Sequence, residues 1–242
     1  MRRLPVLAVL ALLTAGAAQR AIAHGMYVAP RHGTLGIVVG FSTDDDAYPV
    51  HKVASSVSYD AGGKATPATL LLHSDHATIS APASTAALVT TVDYGFYARP
   101  AGGKWKEMRK SVMPGAGEGL HAIKYNVRIM GLGQQGKSHD LGLEIVPLAD
   151  PMIMKLGDKL PLQVLLNGKP LKGVRLTENF LGDDTILTAP TDADGKTVTT
   201  LRASKLNVIS IEYDAHVSGE PDVDFYRYFV TLDFDLPHTE PE

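Results

Sequence analysis

The sequence predicts an all-β protein made of two antiparallel β-sandwich domains, the second immunoglobulin- or transthyretin-like. Three observations predict it. Helical periodicity is nearly absent. Short alternating apolar runs bounded by Gly, Pro, Asp and Asn recur along the chain, the pattern of sandwiches and barrels. The composition, 45% hydrophobic and 20% charged over 242 residues, is ordinary globular usage and suffices for one large domain or two small ones.

The first element stands outside that fold. Arg2 and Arg3 precede Leu4 to Leu13, an apolar run too short to span a bilayer, and Ala21-x-Ala23 fits small-x-small cleavage. Residues 1–23 therefore read as a secretory signal, which places the protein in the periplasm. Thr14 to Gln19 offers a rival cut after Ala17 or Ala18. The choice matters for His24. An internal histidine offers a metal one imidazole. A first-position histidine adds its α-amine and can close a chelate ring.

Residues 24–147 read as the first domain. Lys52 to Tyr59 places Val53, Val57 and Tyr59 on one face, and Thr66 to His73 and Ala87 to Ala98 read as further strands. His121 to Met130 alternates well: Ile123, Tyr125, Val127 and Ile129 point one way, Lys124, Asn126 and Arg128 the other. Pro100 to Gly119 is Gly-rich and basic, a long loop with one helical turn expected at Lys104 to Val112. Gly131 to His139 reads as a second flexible loop.

Pro147 and Pro151 bracket an expected linker near residue 148. Residues 148–236 form the second domain, with strands at Leu160–Leu166, Gly173–Phe180, Thr185–Pro190, Lys196–Arg202, Asn207–Val217 and Phe225–Leu236. Asn167-Gly168 and Asp192 to Gly195 supply turns. Tyr226, Tyr228, Val230, Leu232, Phe234 and Leu236 share a face of the last strand. Residues 237–242 read as a disordered tail.

Charge and composition exclude several functions. Residues 1–23 hold three arginines and no acids, leaving 20 basic and 26 acidic residues, a balance of −6, from residue 24 onward. That argues against nucleic acid as partner. No second long apolar run exists, so no membrane span is expected in the mature chain. With no cysteine, the protein has no disulfide, and a transition metal must use imidazole, carboxylate, thioether or amine ligands. There is no G-x-S-x-G elbow, P-loop or H-E-x-x-H. Asp44-Asp45-Asp46 and Asp183-Asp184 read as surface turns.

Histidine is the more informative residue, with nine in the chain. After a cut at Ala23, His24 would bind Ni²⁺ or Cu²⁺ through amine and ring, since nitrogen ligands suit both ions. His121 opens a strand on its inward face, where a site at the rim of a sandwich would take a ligand; a hydrogen-bonded core histidine is the plainer reading. His216 shares a polar strand face with Glu212 and Asp214, which is either solvated or a site. His73 and His76 straddle a turn. His51 and His238 read as loop and tail residues.

The "AHG" start, the stretch from Gly142 to Leu176 and the stretch from Thr191 to His216 together resemble a family of bacterial periplasmic proteins long catalogued as a domain of unknown function. Its members are described as nickel-uptake substrate-specific components found beside energy-coupling-factor nickel and cobalt transporters. The match is best in Gly142 to Pro151, Gly168 to Gly173 and Thr191 to Gly195, which are structural motifs. The resemblance implies extracytoplasmic capture of a divalent metal by the mature N-terminal histidine, here His24, with His121 at a second recurring histidine position. The family start carries a bulky aromatic soon after the histidine, whereas here Gly25 and Met26 intervene before Tyr27.

The expectation is a binding protein rather than an enzyme. It holds a divalent transition metal, nickel first and cobalt or copper next, on His24, His121 and His216, and hands it to an inner-membrane transporter. One rival is a copper protein or redox enzyme with an N-terminal histidine brace, disfavoured by the lack of an aromatic substrate surface around the lone Trp105. The other is a non-catalytic interaction module without metal.

Overall fold

The computed structural model describes residues 24–31 and 33–237. The expected signal, the cut, His32 and nearly all of the tail lie outside them. The described chain is almost entirely β, as expected, and its sheets pack as sandwiches.

Three sheets form. Sheet 1 has the order β1 (Gly25–Arg31), β2 (Thr34–Gly40), β6 (Ala77–Ser80), β5 (Thr69–Leu72). The central sheet runs β14 (Asp183–Leu187), β13 (Thr177–Asn179), β16 (Leu206–His216), β17 (Phe225–Asp235), β9 (Ala116–Ile129), β7 (Thr85–Pro100), β3 (Val53–Asp60), β4 (Ala65–Pro67), with β8 (Lys106–Glu107) beside β7. Sheet 3 places β11 (Lys159–Leu166) against β10 (Leu143–Pro147), β12 (Lys169–Pro170) and β15 (Lys196–Thr200).

The central sheet carries strands from both sides of residue 148. They join where β17 pairs with β9 in parallel, from Phe225 opposite Leu120 to Phe234 opposite Ile129. The other described pairings are antiparallel. The expected linker is a turn within sheet 3, between β10 and β11, where Leu148 N–H donates to Pro161 O. Asp150 fixes this turn, accepting from Met152 N–H at 3.0 Å and Gly133 N–H at 2.7 Å. Residue 148 therefore does not separate two sheets, because β17 returns to the centre of the molecule.

The alternation of the central strands sorts their side chains between two layers. Val127, Ile129, Val230, Leu232, Phe234, Ile209 and Ile211 meet Leu143, Ile145, Leu160, Leu162 and Val164 of sheet 3 in one core. On the opposite face, Leu88, Val92 and Val53 meet Met26, Val28, Ile37, Val39 and Ile79 of sheet 1. Tyr27, Ala29 and Val38, on the other side of sheet 1, pack on Phe180, Val208 and Phe229. β1 thus buries both of its faces.

The expected loop from Pro100 to Gly119 is shorter than its glycines suggest. β7 continues to Pro100 and β9 begins at Ala116, and the single helical turn sits at Lys110–Val112. β7 pairs with the end of this Gly-rich stretch, from Pro100 opposite Ala116 to Ala98 opposite Gly119, and Asp224, just before β17, bonds both backbone groups of Gly119, so tertiary pairing overrides weak strand propensity.

Candidate functional site

β1 lies along the middle of the central sheet and leaves one edge without a strand partner. The carbonyls on that edge belong to alternate residues, as antiparallel geometry requires. Side chains rising from the central sheet cap them. Lys124 Nζ donates to His24 O, Thr231 Oγ1 to Met26 O at 2.6 Å, and Arg128 Nη1 to Val28 O at 3.0 Å. The His24 backbone is therefore fixed at the base of the fold. Lys124 lies 5.1 Å from the ring centres of both Tyr94 and Phe229. Burial there lowers its ammonium to about 8, against a smaller opposing pull from Glu212.

Gly25 has a steric reason to follow His24. A Cβ at that position would overlap the Phe180 ring. The spacing that departs from the resembled family start is therefore filled by an aromatic side chain from β13's end.

The His24 imidazole is exposed, and its Nε2 lies 3.6 Å from Asp46 Oδ2. Asp46 belongs to a loop tied back to the strands by Asp46 N–H to Val39 O at 2.8 Å and Asp44 N–H to Phe41 O at 3.1 Å. The acidic run that reads in sequence as a surface turn thus supplies the partner of His24. The signal was present in Asp44-Asp45-Asp46, but which strand end the loop would face depends on the β1–β2 hairpin, whose strands the sequence reading did not mark.

His121 and His216 do not join them. On β9, His121 shares a lateral row with Tyr226 and Ala215, whereas His216 shares one with Phe225 and Leu120. Neighbouring rows point to opposite faces, so one ion cannot reach both imidazoles through the sheet. The described residues thus do not bring the three expected histidines together. His121 Nε2 is 2.7 Å from Asp93 Oδ1, and its ring stacks on Phe96 at 4.2 Å. It is the hydrogen-bonded histidine of the plainer reading. His216 is exposed and rests against Phe225 at 5.3 Å. Among the described residues, no group of three or more His, Asp or Glu side chains converges in a metal-holding arrangement.

The structure also holds an aromatic row that sequence reading missed. Phe96, His121, Tyr226, Tyr228 and Tyr125 follow one another across neighbouring strands, with ring centres 4.2 to 6.0 Å apart. Lone-Trp counting could not find it, because strand pairing assembles it.

A cleft of about 570 Å³ opens beside Asp46, on the outer side of sheet 1. Arg31, Asp45, Asp46, His73, Asp75 and His76 supply its charged and imidazole lining. His73 and His76 do straddle a turn, closed by His73 N–H to His76 O at 2.9 Å, and their rings stack at 4.3 Å. Asp75 accepts from His76 at 2.7 Å, and this contact holds its carboxyl below the usual range.

Among the described residues, no helix is long and apolar enough to cross a membrane. No curated protein and no solved structure matches the chain. A family model does, over residues 21–215, so that β1 to β15 and all of β16 but its last residue, His216, lie within it. The chain belongs to the family described as a domain of unknown function, DUF4198.

Proposed function

We propose that this protein captures a divalent transition metal, nickel first, outside the cytoplasm and presents it to a membrane transporter. It acts as a binding protein, not an enzyme. The observation that carries the reading is the pairing of an exposed His24 imidazole with Asp46 at 3.6 Å, on a backbone held by Lys124. One exposed imidazole does not complete a site. A cut after Ala23 would add the α-amine of the same residue and close a chelate ring. That ring closes through the amine and Nδ1, so Asp46, which lies against Nε2, would orient the imidazole from behind, and the two nitrogens suit Ni²⁺, Co²⁺ and Cu²⁺.

The copper-brace alternative needs a second imidazole. Asp46, a carboxylate, lies beside His24 instead, which favours capture over redox chemistry. Intact-mass measurement of the secreted protein followed by calorimetric titration with Ni²⁺ tests the reading. A chain starting at His24 is expected to bind Ni²⁺ and to lose binding on α-amine acetylation; Asp46→Asn is expected to weaken it. A mature chain that retains residues before His24, or a His24 start that gives no heat with Ni²⁺, overturns the proposal and leaves the interaction module.

A further inference from the structure

β1 starts at Gly25, two residues after Ala23, and it starts inside the protein. Met26, Tyr27, Val28 and Ala29 are each at most 2% exposed. Both edges of the strand are in use. One pairs with β2 through all seven residues, from Gly25 opposite Gly40 to Arg31 opposite Thr34. On the other, Lys124, Thr231 and Arg128 hold the carbonyls of His24, Met26 and Val28. The Phe180 ring closes over Gly25. His24 is the last exposed residue before the buried run.

Removal of the leader after Ala23 is a hydrolysis. Water adds across the amide, leaving a carboxylate on Ala23 and a free amine on His24. A peptidase grips an extended chain by its main-chain hydrogen-bonding groups on both sides of the bond it cuts. Downstream of this bond those groups already serve the fold. Cleavage after folding therefore waits for β1 to leave the sheets, and its rate tracks the population of that opened state. The rival bonds are placed differently. Gln19 to Ala23 separate the bond after Ala18 from His24, and Ala18 adds one residue more for the bond after Ala17. Five residues reach up to about 17 Å, which lets a peptidase work clear of the fold.

We propose that the order of folding and processing decides which protein is made. A chain cut before β1 docks starts at His24 and carries the free amine. A chain that folds first has closed the bond after Ala23; it is cut after Ala17 or Ala18 and keeps His24 internal. β1 thus selects between a chelating and a non-chelating form. The proposal rests on reading residues 1–23 as a secretory leader.

Digestion of the full 242-residue chain in mild detergent by a purified bacterial signal peptidase, read by intact mass, tests this. One sample is folded beforehand. The other is diluted out of urea straight into the enzyme and is expected to yield the His24 start. In the folded sample that product is expected at least about a hundredfold more slowly, as for a bond freed only by local opening, with starts at Ala18 or Gln19 in its place. Two variants tie the result to β1. Four glycines inserted between Ala23 and His24 move the bond clear of the strand and are expected to restore rapid cutting after Ala23 in the folded chain. Thr231→Val removes one of the three caps and is expected to speed that cut in the folded chain by about tenfold. Equal rates after Ala23 in folded and unfolded chains overturn the proposal and leave metal capture standing. Slow cutting that the glycines do not relieve also overturns it. An unfolded chain cut only after Ala17 or Ala18 brings down this proposal and the His24 chelate together.

Discussion

The two faces of the central sheet are buried by opposite means. Toward sheet 3, the layers meet side chain to side chain through Val, Leu, Ile and Phe. Toward β1, the same strands present Lys124, Asn126, Arg128, Thr231 and Asp233, all buried. There the opposing surface is partly a strand edge, whose carbonyls need donors. The polar row gives them. Its members also bind one another: Asn126 Nδ2 donates to Thr231 Oγ1 at 2.9 Å and to Asp233 Oδ1 at 2.7 Å, and Arg128 reaches Asp233 at 2.9 Å and also Asp235, while among the described residues Asn126 Oδ1 and Arg128 Nε are left without a partner. One face is held by volume; the other adds hydrogen-bond valence to the apolar contacts of Leu88, Val92, Val208 and Phe229. An apolar contact tolerates any side chain of the right size, whereas the capped edge tolerates only a donor in the right place.

That contrast can be broken or sharpened by substitution. The largest effect is expected from Arg128→Leu, which leaves the fully buried Asp233 carboxylate without its cation. Loss of one partner of a buried pair costs about 3–5 kcal/mol, to be read as a lower urea midpoint. On the other face, Leu162→Ala removes a fully buried side chain and should cost about 2–5 kcal/mol through lost transfer energy and a cavity. Two neighbours on β17 sharpen the comparison. Thr231→Val keeps volume but removes the donor to Met26 O, so about 1–3 kcal/mol is expected. Leu232→Ile, facing sheet 3, keeps volume and chemistry and should cost less than about 1.5 kcal/mol. Equal costs at Thr231 and Leu232 would refute the distinction.

A last effect is read as a slope. Burial pushes Asp233 up to about 6, against the pull of Arg128 and Asn126, from an ordinary value near 3.8. The folded state therefore binds this proton more tightly than the unfolded chain. Asp233 should make stability fall as pH rises through that window, from about 3.8 to about 6. Asp233→Asn should flatten the profile there, whatever its overall cost. An unchanged slope between the two proteins would mean that the carboxyl titrates normally.

Much of this was legible in the chain and some was not. The alternation of Ile123 to Ile129 and of Tyr226 to Leu236 marks β9 and β17 and the face each turns to sheet 3. Lys124, Asn126 and Arg128 alternate just as clearly, but in sequence they look like a solvated face. Only β1 lying across them makes that face an interior one. At the candidate site, His24 stands out by its place after Ala23, and Asp46 does not. A loop aspartate gains meaning only from the hairpin that carries it to the strand end. Period-two patterning puts His121 on the inward face of its strand and His216 on the polar face of its own; only the pairing of β9, β17 and β16 shows that these are opposite faces of one sheet.

The sequence by itself determined that this chain makes strands and no thiolate chemistry, since local patterning and composition suffice for both. It also determined which residues can point together along any one strand. The tertiary structure decided which strands are neighbours. Placing β17 between β16 and β9 needs contacts between residues about a hundred positions apart. From that one placement follow the shared sheet, the buried polar row, and the separation of His121 from His216.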